Sequence, residues 1–373
     1  MTATNNSIRV ALIGYGFVGK TFHAPLIKSV PGFEIAVVGS RNPAKVHADL
    51  PAAHVIADPE EAATSAKSDL VVIASPNETH VPLATAALNS GKDVVIDKPF
   101  TVTLAEARKL TELALKQKRL LSVFQNRRWD SEFLGARAAI EEGRLGEVLH
   151  FESHFDRFRP EVRPRWRETP GPGSGVWYDL GPHLADQALQ LFGLPKTIAG
   201  NLARQRREAQ TDDWFHVLLN YDRLRVILHG SVVVAGGTPR MAIHGTGGSW
   251  LKYGLDVQEE QLISGVIPGQ PGWGQDPRPA LFYNGRDSQP LELPLPAGDQ
   301  RQFYFGIRDA IRNEGANPVS PAQAVAVMAV LETAIESSTS GKVLPLPLTE
   351  AEQVAWHQSV DRSARENPRM PGS

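Results

Sequence analysis

The sequence predicts two unlike domains: a doubly wound α/β domain with a parallel sheet, then an α+β domain with an open, largely antiparallel sheet. Three observations carry this. A glycine-rich turn at residues 14–19 stands between an apolar strand and a helical segment. Apolar, β-branched runs then alternate with helical segments as far as residue 125. From Asn126 onward, strand runs follow one another with few helices between them. The predicted boundaries are 6–125, 126–345 and a C-terminal extension, 346–373.

Taken in order, Ile8–Ile13 is the first strand, and Gly14-Tyr15-Gly16-Phe17-Val18-Gly19 leads from it into a helical segment ending near Val30. In that context a GxGxxG turn reads as a dinucleotide site. Gly14 allows the tight turn, Gly16 lets a pyrophosphate approach the backbone, and Gly19 lets helix pack on strand. The second strand, 34–39, ends in Ser40-Arg41-Asn42 where an NAD site would carry a carboxylate. A guanidinium pairs with a 2′-phosphate in forked geometry, so Ser40 and Arg41 predict NADP over NAD. A short strand (53–56), a short helix (59–64) and a buried strand (69–74) follow, then Ser75-Pro76-Asn77 and a helix over 78–89 with His80 in its first turn. Lys92-Asp93-Val94-Val95-Ile96-Asp97-Lys98-Pro99 places Lys98 at the carboxyl end of a buried strand, where open α/β sheets bind ligands. A helix over 104–118, capped by Thr103 with Glu106, and a sixth strand at 120–124 complete a Rossmann domain.

In the second domain a helix over 131–142 precedes strands at 148–155, 197–204, 214–221, 224–230 and 240–244, with a weaker candidate at 249–253. Further helices are predicted over 178–192, 299–313 and 322–338, with a Pro/Gly-rich loop at 265–280 and a frayed tail after Ala364. Asp179 and His183 are four apart on one helix face, with Asp186 leaning the same way; Pro182 predicts a helix start near Gly181.

Composition narrows the function. The 373 residues include 42% hydrophobic and 21% charged, as in ordinary globular proteins. A net charge of −2 gives no basic field for nucleic acid or an anionic membrane. With no cysteine, disulfides, thiolate metal sites and cysteine nucleophiles are excluded. Residues 1–7 lack a signal-peptide pattern and no apolar run is long enough to span a bilayer, so a cytoplasmic protein is expected.

The turn at 14–19, Ser75-Pro76-Asn77 with His80, Asp97-Lys98-Pro99, and Asp179-Leu180-Gly181-Pro182-His183 with Asp186 resemble the Gfo/Idh/MocA family of nicotinamide-dependent oxidoreductases. The family's usual Glu-Lys-Pro is Asp-Lys-Pro here. Phe22-His23-Ala24-Pro25-Leu26, Ser40-Arg41 and Asn126-Arg127-Arg128-Trp129-Asp130 resemble its NADP-dependent scyllo-inositol dehydrogenases. Further stretches, Arg159-Pro160-Glu161-Val162 and Arg165-Trp166-Arg167-Glu168, extend that likeness. The resemblance implies hydride transfer between NADP(H) and a secondary alcohol or ketone of a polyol, with scyllo-inositol and its inosose as the preferred pair. His183 would be the general base, Lys98 would stabilise the alkoxide, and Asp179 would orient His183 or bind a neighbouring hydroxyl. Asn126, Arg163 and Trp166 are the candidate substrate contacts. No metal is expected, and a homodimer or homotetramer is implied through the free sheet face. Another sugar substrate, or a non-catalytic NADP sensor on the same fold, are the alternatives.

Overall fold

In the computed structural model, residues 7–164 and 166–366 are described; of Trp166 and residues 361–366 only the backbone is described. The first sheet is parallel: β1 (Ile8–Ile13), β2 (Phe33–Gly39), β3 (His54–Ile56), β4 (Leu70–Ile73), β5 (Asp93–Ile96) and β6 (Leu121–Val123), in the order β3-β2-β1-β4-β5-β6. Its central strands are mostly apolar because helices cover both faces; Arg9 near the start of β1 and Asp93 at the start of β5 are the polar exceptions. Those helices are α1 (Ala24–Lys28), α2 (Pro43–His47), α3 (Pro59–Thr64), α4 (His80–Asn89) and α5 (Leu104–Gln117). A π-helical turn, Gly19–His23, leads into α1. Thr103 and Glu106 form the capping box that starts α5. The strand order reverses between β1 and β4, which opens the crevice where such sheets bind ligands.

The second domain begins with α6 (Ser131–Glu141) and β7 (Val148–His154), followed by α7 (Gly175–Phe192). Then come β8 (Thr197–Ala203), β9 (Trp214–Asn220), β10 (Arg225–Ser231), β11 (Met241–Gly245) and β12 (Gly248–Lys252). After α8 (Gln258–Ile263), β13 (Ala280–Tyr283) and β14 (Leu291–Leu293) lengthen one edge of the sheet, and β15 (Leu344–Pro345) pairs with β8 at the other. All its pairings are antiparallel except β7 with β10, which is parallel. Helices α9 (Arg301–Ile311) and α10 (Pro321–Ser340) complete the domain, and α11 (Glu350–Glu366) follows.

One expectation is corrected, and two stretches gain structure that the sequence does not assign. Helix α7 starts at Gly175, so Pro182 lies inside it rather than in its first turn. Residues 258–263 are helical, and 280–283 and 291–293 are strands; these elements flank the expected loop at 265–280, and the sequence pattern assigns none of them. The extension is a helix bound to the first domain: Arg108 donates to Glu352 at 2.6 Å and to the Pro347 carbonyl at 2.7 Å. The predicted frayed tail lies, beyond Glu366, outside the described residues. No helix among the described residues is long and apolar enough to cross a membrane.

Candidate active site

The glycine turn forms a cradle at the end of β1. Gly14 has φ +96°, and a Cβ there would sit 2.5 Å from the Ala74 carbonyl oxygen. A Cβ on Gly19 would sit 2.0 Å from the Gly14 oxygen. Both positions are closed by the protein itself. Gly16 differs: a Cβ there meets nothing within 4 Å. The space before Gly16 is what a pyrophosphate needs, and it fits a dinucleotide. Phe17 is exposed and Val18 packs against the core. Tyr15 is turned inward, its hydroxyl donating to Asp49 at 3.1 Å, so the turn offers a cofactor only its backbone at that position. At the end of β2, the Ser40 hydroxyl accepts the Asn42 N–H at 3.2 Å, while Arg41 is exposed, with no ion pair among the described residues.

The loop after β4 is held by its own side chains. Ser75 Oγ and Thr79 Oγ1 lie 2.5 Å apart, and Pro76 leads into the turn Asn77–Thr79. Asn77 Nδ2 donates to the Gly173 carbonyl at 3.0 Å, joining this loop to the approach to α7. His80 was predicted to touch the cofactor. Its ring is fully buried, with Nδ1 at 2.9 Å from the Pro99 carbonyl and Nε2 at 3.0 Å from that of Ser75. It fastens the Ser75 loop to the Lys98-Pro99 turn instead.

Lys98 projects from the end of β5 toward α7. Its Nζ donates to the Asp179 carbonyl oxygen at 2.7 Å and to Asp179 Oδ1 at 3.2 Å. Pro182 bears on this: lacking an N–H, it leaves the Tyr178 carbonyl without its helical donor, and that missing rung lies beside the carbonyl that Lys98 takes. Burial lowers the Lys98 pKa, and Asp179 opposes that shift. Burial alone would raise Asp179. Lys98, with Arg167 at 3.4 Å and Arg157 at 3.6 Å, overcomes this and holds the carboxyl well below the usual range.

The expected pairing of Asp179 with His183 does not form, because the three cations take the carboxylate. Asp186 does not face His183 either; it accepts both arms of Arg128 at 2.6 and 2.8 Å. His183 is buried, and its Nδ1 has no hydrogen-bond partner. Burial, then the charges of Lys98, Arg127, Arg240 and Arg157, push its pKa well below the ordinary imidazole value. That shift favours the unprotonated imidazole, the form a general base needs.

Of the predicted substrate contacts, Asn126 is buried and donates to Gln300 at 2.9 Å. Arg163 is exposed and gives its backbone N–H to Glu168 at 3.0 Å. The Trp166 side chain and Arg165 lie outside the described residues. Arg157 is the residue that sequence reasoning missed. Its position just beyond β7, in Asp156-Arg157-Phe158-Arg159, carries no motif, and only the packing of sheet against α7 brings it to Asp179.

Comparison with known families agrees with this geometry. Residues 8–125 match the model of the oxidoreductase family's NAD-binding Rossmann fold, and residues 137–348 match that of its C-terminal alpha/beta domain. The chain belongs to the Gfo/Idh/MocA oxidoreductase family. Within it, the chain is 51% identical to oxidoreductase YdgJ of Escherichia coli (strain K12) over 90% of this chain and 97% of that one. It is 36% identical to scyllo-inositol 2-dehydrogenase (NADP(+)) IolW of Bacillus subtilis (strain 168), over 91% of this chain and 96% of that one. A crystal structure of an oxidoreductase from Klebsiella pneumoniae superposes with a TM-score of 0.90 at 55% identity, covering 95% of this chain and 99% of the other. The first domain is thus an NAD(P)-binding Rossmann domain and the protein an oxidoreductase of this family.

Proposed function

We propose that the protein is an NADP-dependent dehydrogenase of a polyol secondary alcohol, with scyllo-inositol and its inosose as the preferred pair. The observation that carries the chemistry is the group Lys98, Asp179 and His183. An ammonium has three N–H donors, and Lys98 spends two on Asp179. The third is available to a substrate oxygen, where it stabilises developing alkoxide charge. His183, its pKa pushed down by burial and the surrounding cations, accepts the hydroxyl proton. Asp179 keeps Lys98 charged and in place. Bound NADP supplies the acceptor for the hydride that leaves the carbinol carbon. Gly16 and its open cradle would hold the pyrophosphate, and Arg41 the 2′-phosphate. The choice of scyllo-inositol rests on the likeness to IolW. We further propose a homodimer or homotetramer assembled through the open face of the second sheet.

The test is steady-state oxidation of scyllo-inositol beside myo-inositol and several aldoses, each with NADP and with NAD. Turnover of scyllo-inositol with NADP is expected. Lys98→Ala and His183→Ala should each lower kcat by about a hundredfold or more; near-normal turnover in both refutes the assignment. Turnover of an aldose alone moves the substrate but keeps the mechanism. Tight NADPH binding with no turnover favours a sensor.

A further inference from the structure

The open face of the second sheet carries imidazoles that the proposed reaction does not use. In the sheet register His229 on β10 stands beside His154 on β7 and beside His216 on β9. Side chains alternate along strands, so these three share one face. Their neighbours Phe215, Val217 and Leu228 are buried on the other, under the helices. Asp156, two residues beyond His154, closes the row.

His154 Nδ1 lies 3.6 Å from Asp156 Oδ2, and His229 Nε2 lies 3.7 Å from Asp156 Oδ1. Both gaps exceed a good hydrogen bond, which spans about 2.7–3.2 Å. They come close to the edge of a tetrahedral zinc site, where bonds of about 2.0–2.1 Å set neighbouring ligand atoms roughly 3.4 Å apart. One ligand atom from each of the three residues lies within 4.8 Å of the others. His154 Nδ1 is closed off from solvent and has no hydrogen-bond partner.

The surroundings hold two of the three groups, His154 and Asp156, in that geometry. Glu152 takes the other nitrogen of His154, Nε2, at 2.8 Å. A carboxylate behind a ligating imidazole is the usual support of a metal site. Asp156 is oriented in turn: its Oδ1 accepts the Ser231 N–H at 3.1 Å and its Oδ2 accepts the Thr238 hydroxyl at 2.8 Å.

We propose that His154, His229 and Asp156 bind one divalent transition-metal ion of the zinc class per chain. Two imidazoles and a carboxylate leave a position for water. The site is separate from the dehydrogenase centre, yet Asp156 adjoins Arg157, whose guanidinium reaches Asp179. A bound ion would therefore fix the strand end that delivers Arg157.

The experiment is titration of the EDTA-treated, dialysed protein with ZnCl2 by calorimetry, with MgCl2 as the hard-ion control. Uptake of one zinc per chain at micromolar affinity or tighter is expected, with no Mg2+ uptake and a raised thermal-unfolding midpoint. His154→Gln, His229→Gln and Asp156→Asn should each weaken binding by about a hundredfold, while His47→Gln, on the first domain, leaves it unchanged. Far-UV circular dichroism and NADPH binding show whether each variant is folded, and three separate variants keep the test valid if one is not. Absence of stoichiometric zinc uptake by the wild type overturns the proposal, as does undiminished uptake in folded His154→Gln and His229→Gln. None of these readings depends on which substrate is oxidised.

Discussion

Asp179→Asn isolates what the carboxylate does for Lys98. The two charges are 3.2 Å apart. At an effective dielectric of about 20, a unit pair at that distance is worth roughly 5 kcal/mol. Each pKa unit corresponds to about 1.4 kcal/mol, so losing the carboxylate corresponds to a loss on the order of 5,000-fold in the proton affinity of Lys98. The amine would still be held by the Asp179 carbonyl oxygen, which the substitution leaves in place. The variant should therefore keep its geometry and lose its charge. Burial and Arg167 already lower the Lys98 pKa, and only the smaller effect of Asp97 would remain to oppose them. Because the ammonium form does the work, kcat/KM should fall on the alkaline side, with that limb moved to lower pH than in the wild type. The assay is kcat/KM for the polyol from pH 6 to 10, with the NADPH dissociation constant from fluorescence as a control expected to stay constant. A wild-type profile in the folded variant refutes the role given to Asp179.

The glycine cradle makes a paired prediction. Gly16→Val should fold normally and lose NADP affinity by tenfold or more, since a side chain there enters space the protein leaves open. Gly19→Val should instead lower the thermal midpoint or abolish folding, because its Cβ collides with the Gly14 carbonyl. Arg41→Glu should raise the KM for NADP at least tenfold and that for NAD little, measured with one substrate and both cofactors. Burial and Asp130 raise the Glu132 carboxyl to about 7, against the pull of Arg240. Between the ordinary carboxyl value of 4.5 and about 7, the folded state holds a proton that the unfolded chain releases, so wild-type stability falls as pH rises through this window. Urea midpoints at pH 5 and 8 should show that fall, and Glu132→Gln should flatten it.

Where local chemistry decides structure, the sequence was readable. The Thr103–Glu106 capping box, the short helix Pro59–Thr64 behind Asp58, and the six strands of the first sheet follow from propensity and pattern. The errors arise where distant residues decide. Pro182 reads as a helix start, but Trp177 and Leu180 are buried and Asp212 caps the Trp177 N–H at 2.7 Å, which holds the extra turn. Strands β13 and β14 are short, and their identity comes from pairing with β12. At the site, the i,i+4 spacing of Asp179 and His183 permits a contact. It cannot show that Lys98, Arg157 and Arg167, from three other parts of the chain, compete for the same carboxylate.

The parallel pairing of β7 with β10 also bears on how the protein folds. Two parallel strands cannot be joined by a hairpin, so the chain between them is long, and α7 with Asp179 and His183 lies within it. That ladder closes only after a large loop has been ordered, which makes it slow relative to the hairpins β9–β10 and β11–β12. Refolding from denaturant should therefore recover amide protection in the hairpins first. Catalytic competence should return only with protection of the β7–β10 ladder, so that a partly folded chain already holding cofactor has no means of turning it over.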